Sequence, residues 1–349
     1  MRRVAVVTGG TAGIGRATAR AFARAGWAVG VIARDPARLR STEAELRTLA
    51  VPALGIAADV ADAGAVEAAA ARFERELGPI EAWVNNAMAT VIAPAHEVTP
   101  EEYRRVTEVA YLGQVHGTLA ALRRMAPRNR GRIIQISSGI GVRSAPLQSA
   151  YCGAKAAVRG FTDSLRAELL HDGVKVDLTV VYLPAVNTPQ FDWARNRTGR
   201  IQKAPDPVFD PRLCADAVLF AAENPRREVW VGRSTAEMVL GQAVAPGLLD
   251  RYAGRMWEAQ LGDRPPPHPE GNLFAPVPGD PGVDGRFGQR VKPTRTEYWT
   301  SRHRDAAVAG AAALGLLGLA ALAAPVRLLA GLAAPRRATA RRPRLPAWR

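Results

Sequence analysis

The chain has 349 residues, 48% of them hydrophobic and 23% charged, with a formal net charge of +15. That apolar fraction excludes wholesale disorder and suits one large α/β domain with an appendage, or two domains. From Ser301 onward nine Arg stand against one Asp, which puts +8 of the charge in the last 49 residues; the body is only mildly basic, and nucleic acid is not an expected partner.

The N-terminal MRRVAVVTGG reaches glycine after a run too short for the core of a secretory signal. Short apolar strands and Ala/Leu/Arg-rich helices then alternate. Val4–Val7 reads as a strand, Gly13–Ala25 as a helix, Ala28–Ile32 as a strand, and Pro36–Leu49 as a helix with proline in its first turn. The strand Leu54–Ala57, the helix Ala63–Leu77 and the strand Ile80–Val84 follow. One long helix is expected from Pro100 to Met125, then the strand Arg132–Ile136, the helix Ala150–Leu170 and the strand Val174–Val181. The pattern predicts an α/β fold with a doubly wound parallel sheet covered on both faces.

After Pro184 the periodicity loosens, and residues 185–211, with four prolines, read as a long loop over a site. A helix at Leu213–Ala222 and a strand at Glu228–Val231 complete the sheet, so the catalytic domain is expected over 1–235. Residues 236–304 read as one or two helices and then an irregular Pro/Gly-rich extension. In the remainder, 305–349, Ala306–Val326 carries no charge over 21 residues and is followed by a basic end. Its length suits a membrane span and its apolar residues surround the helix, so membrane contact through 306–334, spanning or lying on the surface, is expected over a buried helix. Cys152 and Cys214 form no CxxC pair, which fits a reducing, cytoplasmic compartment for the catalytic domain.

The first strand runs directly into Thr8-Gly9-Gly10-Thr11-Ala12-Gly13-Ile14-Gly15 and a helix. A strand, a glycine turn and a helix N-terminus in this order form a dinucleotide cradle, because backbone N–H groups can then approach a pyrophosphate. The second strand ends at Ala33-Arg34, with no acidic residue to grip the ribose hydroxyls. This favours NADP over NAD, with Arg34 and Arg16 as candidate 2′-phosphate contacts. Tyr151 and Lys155 lie four apart on one helix face, and Ser138 follows a strand end. A lysine cation beside a phenol, with an oxidised nicotinamide adding positive charge, is expected to lower its pKa and fit it for proton exchange with an alcohol or carbonyl.

These motifs resemble the short-chain dehydrogenase/reductase family of NADP type, over about residues 3–232, with a C-terminal extension. The motifs are TGGTAGIG, Asp59-Val60, Asn85-Asn86-Ala87, Ser138 and Tyr151-x-x-x-Lys155. The resemblance implies a Rossmann fold, with Gly9, Thr11, Gly13, Ile14 and Gly15 along the pyrophosphate, Asp59 and Val60 at the adenine, and Asn86 and Ala87 beside the cofactor. It further implies Lys155 on the nicotinamide ribose and Thr188 at the nicotinamide amide. The sequence departs from the family at three places: Ala110 replaces an asparagine that holds a relay water, Met88 replaces a glycine, and the PGxxxT segment reads Pro184-Ala185-Val186-Asn187-Thr188.

The leading expectation is hydride transfer between NADP(H) and a secondary alcohol or ketone, with Tyr151 as acid/base, Ser138 on the substrate oxygen and Lys155 as tuner. Met88, Ile140, Val142, Leu147, Phe191 and Trp193 point to an apolar substrate, although Phe191 and Trp193 could equally anchor their loop. Alternatives are a non-catalytic NADP(H) sensor or membrane-proximal scaffold, motivated by Ala110, and an epimerase or dehydratase with resident cofactor. Cys152 is read as packing, the five scattered histidines give no metal site, and Arg123, Arg124, Arg128 and Arg130 read as a solvated helix end. The long helices could pair two copies of the chain.

Overall fold

The computed structural model describes residues 2–292 and the isolated pair Arg302 and His303. The chain divides into two compact units, 1–301 and 302–349, and the expected apolar helix 306–326 with its basic end lies outside the described residues. Among the described residues no helix is long and apolar enough to cross a membrane.

Seven parallel strands form one sheet: β1 (Val4–Thr8), β2 (Ala28–Ala33), β3 (Ala53–Ala57), β4 (Ile80–Asn85), β5 (Gly131–Ser138), β6 (Val176–Leu183) and β7 (Glu228–Trp230). Their order across the sheet is 3-2-1-4-5-6-7. The chain adds strands outward from β1 to β3, then returns to place β4 on the other side of β1. That reversal opens a crevice at the carboxyl ends of β1 and β4, where ligands bind in such sheets.

β1 and β2 are continuous apolar runs because both faces of the sheet are covered. On one face α1 (Gly13–Arg24), α2 (Pro36–Arg47) and α7 (Pro211–Glu223) bury Phe22, Leu39, Leu46, Leu213 and Val218 against Val7, Val31 and Ile134. On the other, α3 (Ala63–Leu77), α4 (Pro100–Thr107), α5 (Gly113–Met125) and α6 (Ser149–His171) bury Val66, Phe73, Val106, Met125 and Leu165 against Val6, Ile32 and Trp83. The sequence reads one helix from Pro100 to Met125; the structure interrupts it with a π turn at Glu108–Leu112. The arginines at the end of α5 and in its following turn pair with Glu67, Glu74 and Glu81; Arg123 and Arg130 stay exposed as expected, while Arg124 is largely covered between α5 and α3.

Residues 185–211 hold a single helical turn, Gln190–Trp193, and a two-residue parallel pairing of Arg195–Asn196 with Val91–Ile92. Beyond the sheet come α8 (Arg233–Val244) and α9 (Pro246–Ala259), which bury little and leave Leu240, Val244, Leu248 and Tyr252 exposed. The Pro/Gly-rich stretch after them is irregular but fastened, with Leu273, Val277, Val283 and Phe287 buried along its length.

Candidate active site

β1 ends at Thr8, and the chain turns through Gly9 and Gly13, at φ 66° and 52°, into α1. A Cβ on Gly15 would lie 2.2 Å from the Gly9 carbonyl oxygen and 2.5 Å from Asn86 Nδ2, so the turn closes only over glycine there. Asn86 Nδ2 donates to the carbonyls of Thr8 and Gly9 at 3.0 and 3.3 Å. Thr8 Oγ1 in turn accepts from the N–H groups of Asn86 and Ala87 at 2.9 and 3.1 Å. The end of β4 thus braces the glycine turn through Thr8, a residue sequence reasoning passed over although it immediately precedes the glycine pair.

Helices α2, α3, α4 and α7 begin on Asp35, Asp62, Thr99 and Asp210, whose side chains accept first-turn N–H groups. α1 begins on Ala12, with no side-chain cap and no acidic residue in its first turn. The Gly13 N–H is taken by the Gly282 carbonyl at 3.0 Å, and the rest of the helix's positive end, at Ile14 and Gly15, lines the crevice, where a pyrophosphate would supply acceptors. The residues present fit an NAD(P) cofactor.

Ser138 closes β5, and Tyr151 and Lys155 stand one turn apart on α6. The Lys155 ammonium is buried, donates to the Ile136 carbonyl at 2.7 Å and lies 5.6 Å from the centroid of the Tyr151 ring. Burial pushes this amine down to about 7. Burial likewise pushes the Tyr151 phenol up, Cys152 adds to that shift, and the neighbouring Ser138 hydroxyl pulls the other way by less. The expected lowering counts on the charge of an oxidised nicotinamide as well as on the lysine, and burial is the influence that opposes it.

At the far end of the crevice Arg34 follows β2 and donates to the carbonyls of Asn272, Leu273 and Phe274, the last two at 3.3 and 3.2 Å. Arg16, expected as a second phosphate contact, points away from the cavity and is held by Glu45 and Asp280. Arg38, one turn into α2, lines the cavity in its place. Sequence reasoning missed it; its position four residues after Arg34 on a helix begun by Pro36 was the available signal. Asp59 pairs with Arg105 and accepts the Ala61 N–H at 3.0 Å; these bonds hold its carboxyl below the usual range despite the opposing effect of burial.

One cavity of about 830 Å³ joins these parts. It is lined by Gly9, Thr11, Gly13, Ile14, Gly15, Arg34, Asp59, Val60, Asn86, Ala87, Ser138, Tyr151, Lys155 and Thr188. Met88, Ile140, Phe191 and Trp193 line it too, together with Met238, Leu249 and Met256 from α8 and α9. Val142 and Leu147 do not; Leu147 packs in a separate cluster with Ile92, Ala194 and Leu261. Phe191 meets both readings, lining the cavity while stacking edge-on against Phe287 at 5.2 Å. Ala110 is fully buried inside the π turn, so the relay position offers only a methyl group. Cys152 is buried with its thiol pushed up by burial, and His116 is tied to the Val60 carbonyl at 2.9 Å.

Residues 3–197 match the family model of short chain dehydrogenases. An uncharacterized oxidoreductase of Bacillus subtilis, YxnA, is 30% identical over 326 residues, covering 91% of this chain and 90% of its own. The 3-dehydrosphinganine reductase of Danio rerio is 34% identical over 191 residues, 53% of this chain and 57% of its own. Among solved structures, a short-chain dehydrogenase from Streptomyces avermitilis superposes with a TM-score of 0.61 and 25% identity, covering 74% of this chain and 95% of that one. With the glycine turn, the uncapped helix and the serine, tyrosine and lysine around one cavity, these likenesses establish that the chain belongs to the short-chain dehydrogenase family and is an NAD(P)-dependent oxidoreductase.

Proposed function

We propose that the chain uses NADP(H) to interconvert an apolar ketone and its secondary alcohol. The observation that carries this is the convergence of Ser138, Tyr151 and the buried Lys155 at the apolar half of the cavity. Ser138 and Tyr151 offer hydroxyls to a substrate carbonyl oxygen, and Tyr151 gives that oxygen its proton. Tyr151 carries its proton at neutral pH and is placed on α6 to pass it to that oxygen. Lys155 lies 5.6 Å from the centre of the Tyr151 ring, and its bond to the Ile136 carbonyl locks its position. Bound NADP(H) supplies or takes the hydride.

Preference for the 2′-phosphate is supported by Ala33 at the end of β2 and by Arg34 and Arg38 lining that end of the cavity. An apolar substrate is supported by Met88, Ile140, Phe191, Met238, Leu249 and Met256 at the other end, and by the relative that acts on 3-dehydrosphinganine. The test is NADPH consumption with long-chain ketones by the wild type and by Tyr151→Phe. Loss of the proton donor is expected to slow turnover about 10²–10⁴-fold while NADPH still binds. Retained turnover by Tyr151→Phe would refute the assignment, and NADPH binding without turnover on any ketone would favour the sensor reading that Ala110 motivates.

A further inference from the structure

We propose that residues 271–292, beyond the part of the chain matched by the family model, form a strap that completes the cofactor site and must open for the cofactor to enter or leave. The inference rests on the reading that the crevice holds NADP(H). The strap meets the cavity at Asn272 and Pro276 and then runs past the glycine turn and Thr188. At the adenosine end, the carbonyls of Leu273 and Phe274 accept from Arg34, those of Val277 and Gly279 accept from Arg38, and Arg105 reaches Leu273 at 3.1 Å. Over the glycine turn, the Gly13 N–H donates to the Gly282 carbonyl at 3.0 Å. At the nicotinamide end, Asn187 takes the Gly285 N–H on its carbonyl at 3.3 Å and the Phe287 N–H on its Oδ1 at 2.8 Å, next to Thr188.

These attachments are specific. Gly285 approaches so closely that an added Cβ would lie 2.4 Å from the Thr188 carbonyl oxygen. Asp280 is the charged anchor: it binds the buried Arg16 and accepts from Ser41 at 2.7 Å. Asn272 and Pro276 line the same cavity as Arg34, Asp59 and Gly9, so the first part of the strap is one wall of the site. The Asn272 side-chain oxygen has no partner and is shielded from solvent at that wall, which leaves an acceptor for an amino or hydroxyl group of the adenosine. With guanidinium groups and glycine turn closed over in this way, a cofactor seated beneath the strap is enclosed, and its exchange is tied to strap opening.

The experiment measures NADPH release from the full-length protein by stopped-flow displacement with excess NADP⁺, in the wild type, Asp280→Ala and Asp280→Asn. Asp280 does not line the cavity, and Arg16 keeps Glu45 when it is changed. Release is expected to accelerate about tenfold or more in Asp280→Ala, the scale of one charge-assisted hydrogen bond, and by less in Asp280→Asn. A second measurement needs no variant: NADPH is expected to slow hydrogen exchange at the Gly285 and Phe287 amides of the wild type. Unchanged release in folded Asp280→Ala, or unchanged exchange at those amides with NADPH bound, would overturn the strap and leave the cofactor reading standing. Failure of the wild type to bind NADPH would overturn both.

Discussion

The lysine beside the Tyr151 ring makes a prediction that needs no substrate. Lys155 has its ammonium in the dry interior, with the Ile136 carbonyl at 2.7 Å and a pKa brought from 10.5 to about 7. In the unfolded chain the same amine keeps its ordinary value, so between about pH 7 and 10.5 the unfolded state binds more protons than the folded one. Stability then rises with pH across that window, by up to about 1.4 kcal/mol per unit. Below pH 7 the folded protein must hold a buried cation and this gain is gone. Lys155→Met keeps the length of the side chain and removes the titration. Thermal unfolding of cofactor-free protein should give a melting temperature that climbs from pH 7 to 9 more steeply in the wild type than in Lys155→Met, by about 2 °C per unit or less for a chain of this size. Parallel pH dependences in the two proteins would refute the claim that burial governs this amine.

Gly15→Ala should cost about 1–3 kcal/mol of overpacking, since its Cβ would meet the Gly9 carbonyl oxygen at 2.2 Å; calorimetric titration should show NADPH binding weakened with it, and intact affinity would mean the turn is not the phosphate cradle. Asn85, next to the cofactor-facing Asn86, is instead a buried hub that accepts from Trp83 at 2.8 Å and donates to Thr118 and Gln135 at 3.0 and 2.9 Å. Asn85→Ala should lower unfolding free energy in urea by about 2–4 kcal/mol because it strands several buried partners; a loss under about 0.5 kcal/mol, typical of a surface change, would contradict that role.

The strands were legible because each is centred on a short run of apolar, often β-branched residues, unbroken in β1 and β2, and burial on both faces demands that composition. The cluster of Ser138, Tyr151 and Lys155 was legible for a related reason. One turn of helix fixes how Tyr151 and Lys155 face each other, and a strand end fixes where Ser138 can stand. What the spacing left out is the medium. The same burial that brings the three together also sets their protonation, and in the folded chain desolvation moves Tyr151 and Lys155 toward their neutral forms.

The strap was the least legible part, and the cause is physical. Its composition announces only irregular backbone, and most of its attachments are carbonyl oxygens, which every residue carries and no sequence pattern marks. Arginine makes the uncertainty worse, because a guanidinium serves a phosphate and a ring of carbonyls with the same fork of donors. Arg16, Arg34 and Arg38 are alike in sequence, yet Arg16 is spent on Glu45 and Asp280 while Arg34 and Arg38 face the cavity. The readable trace was the side chains that have no reason to sit in a solvated linker. Leu273, Val277, Val283 and Phe287 recur among the prolines and glycines, and each is buried. A Pro/Gly-rich segment that keeps burying a large apolar residue every few positions is attached chain, and where its stops fall on a crevice rim it belongs to the site beneath.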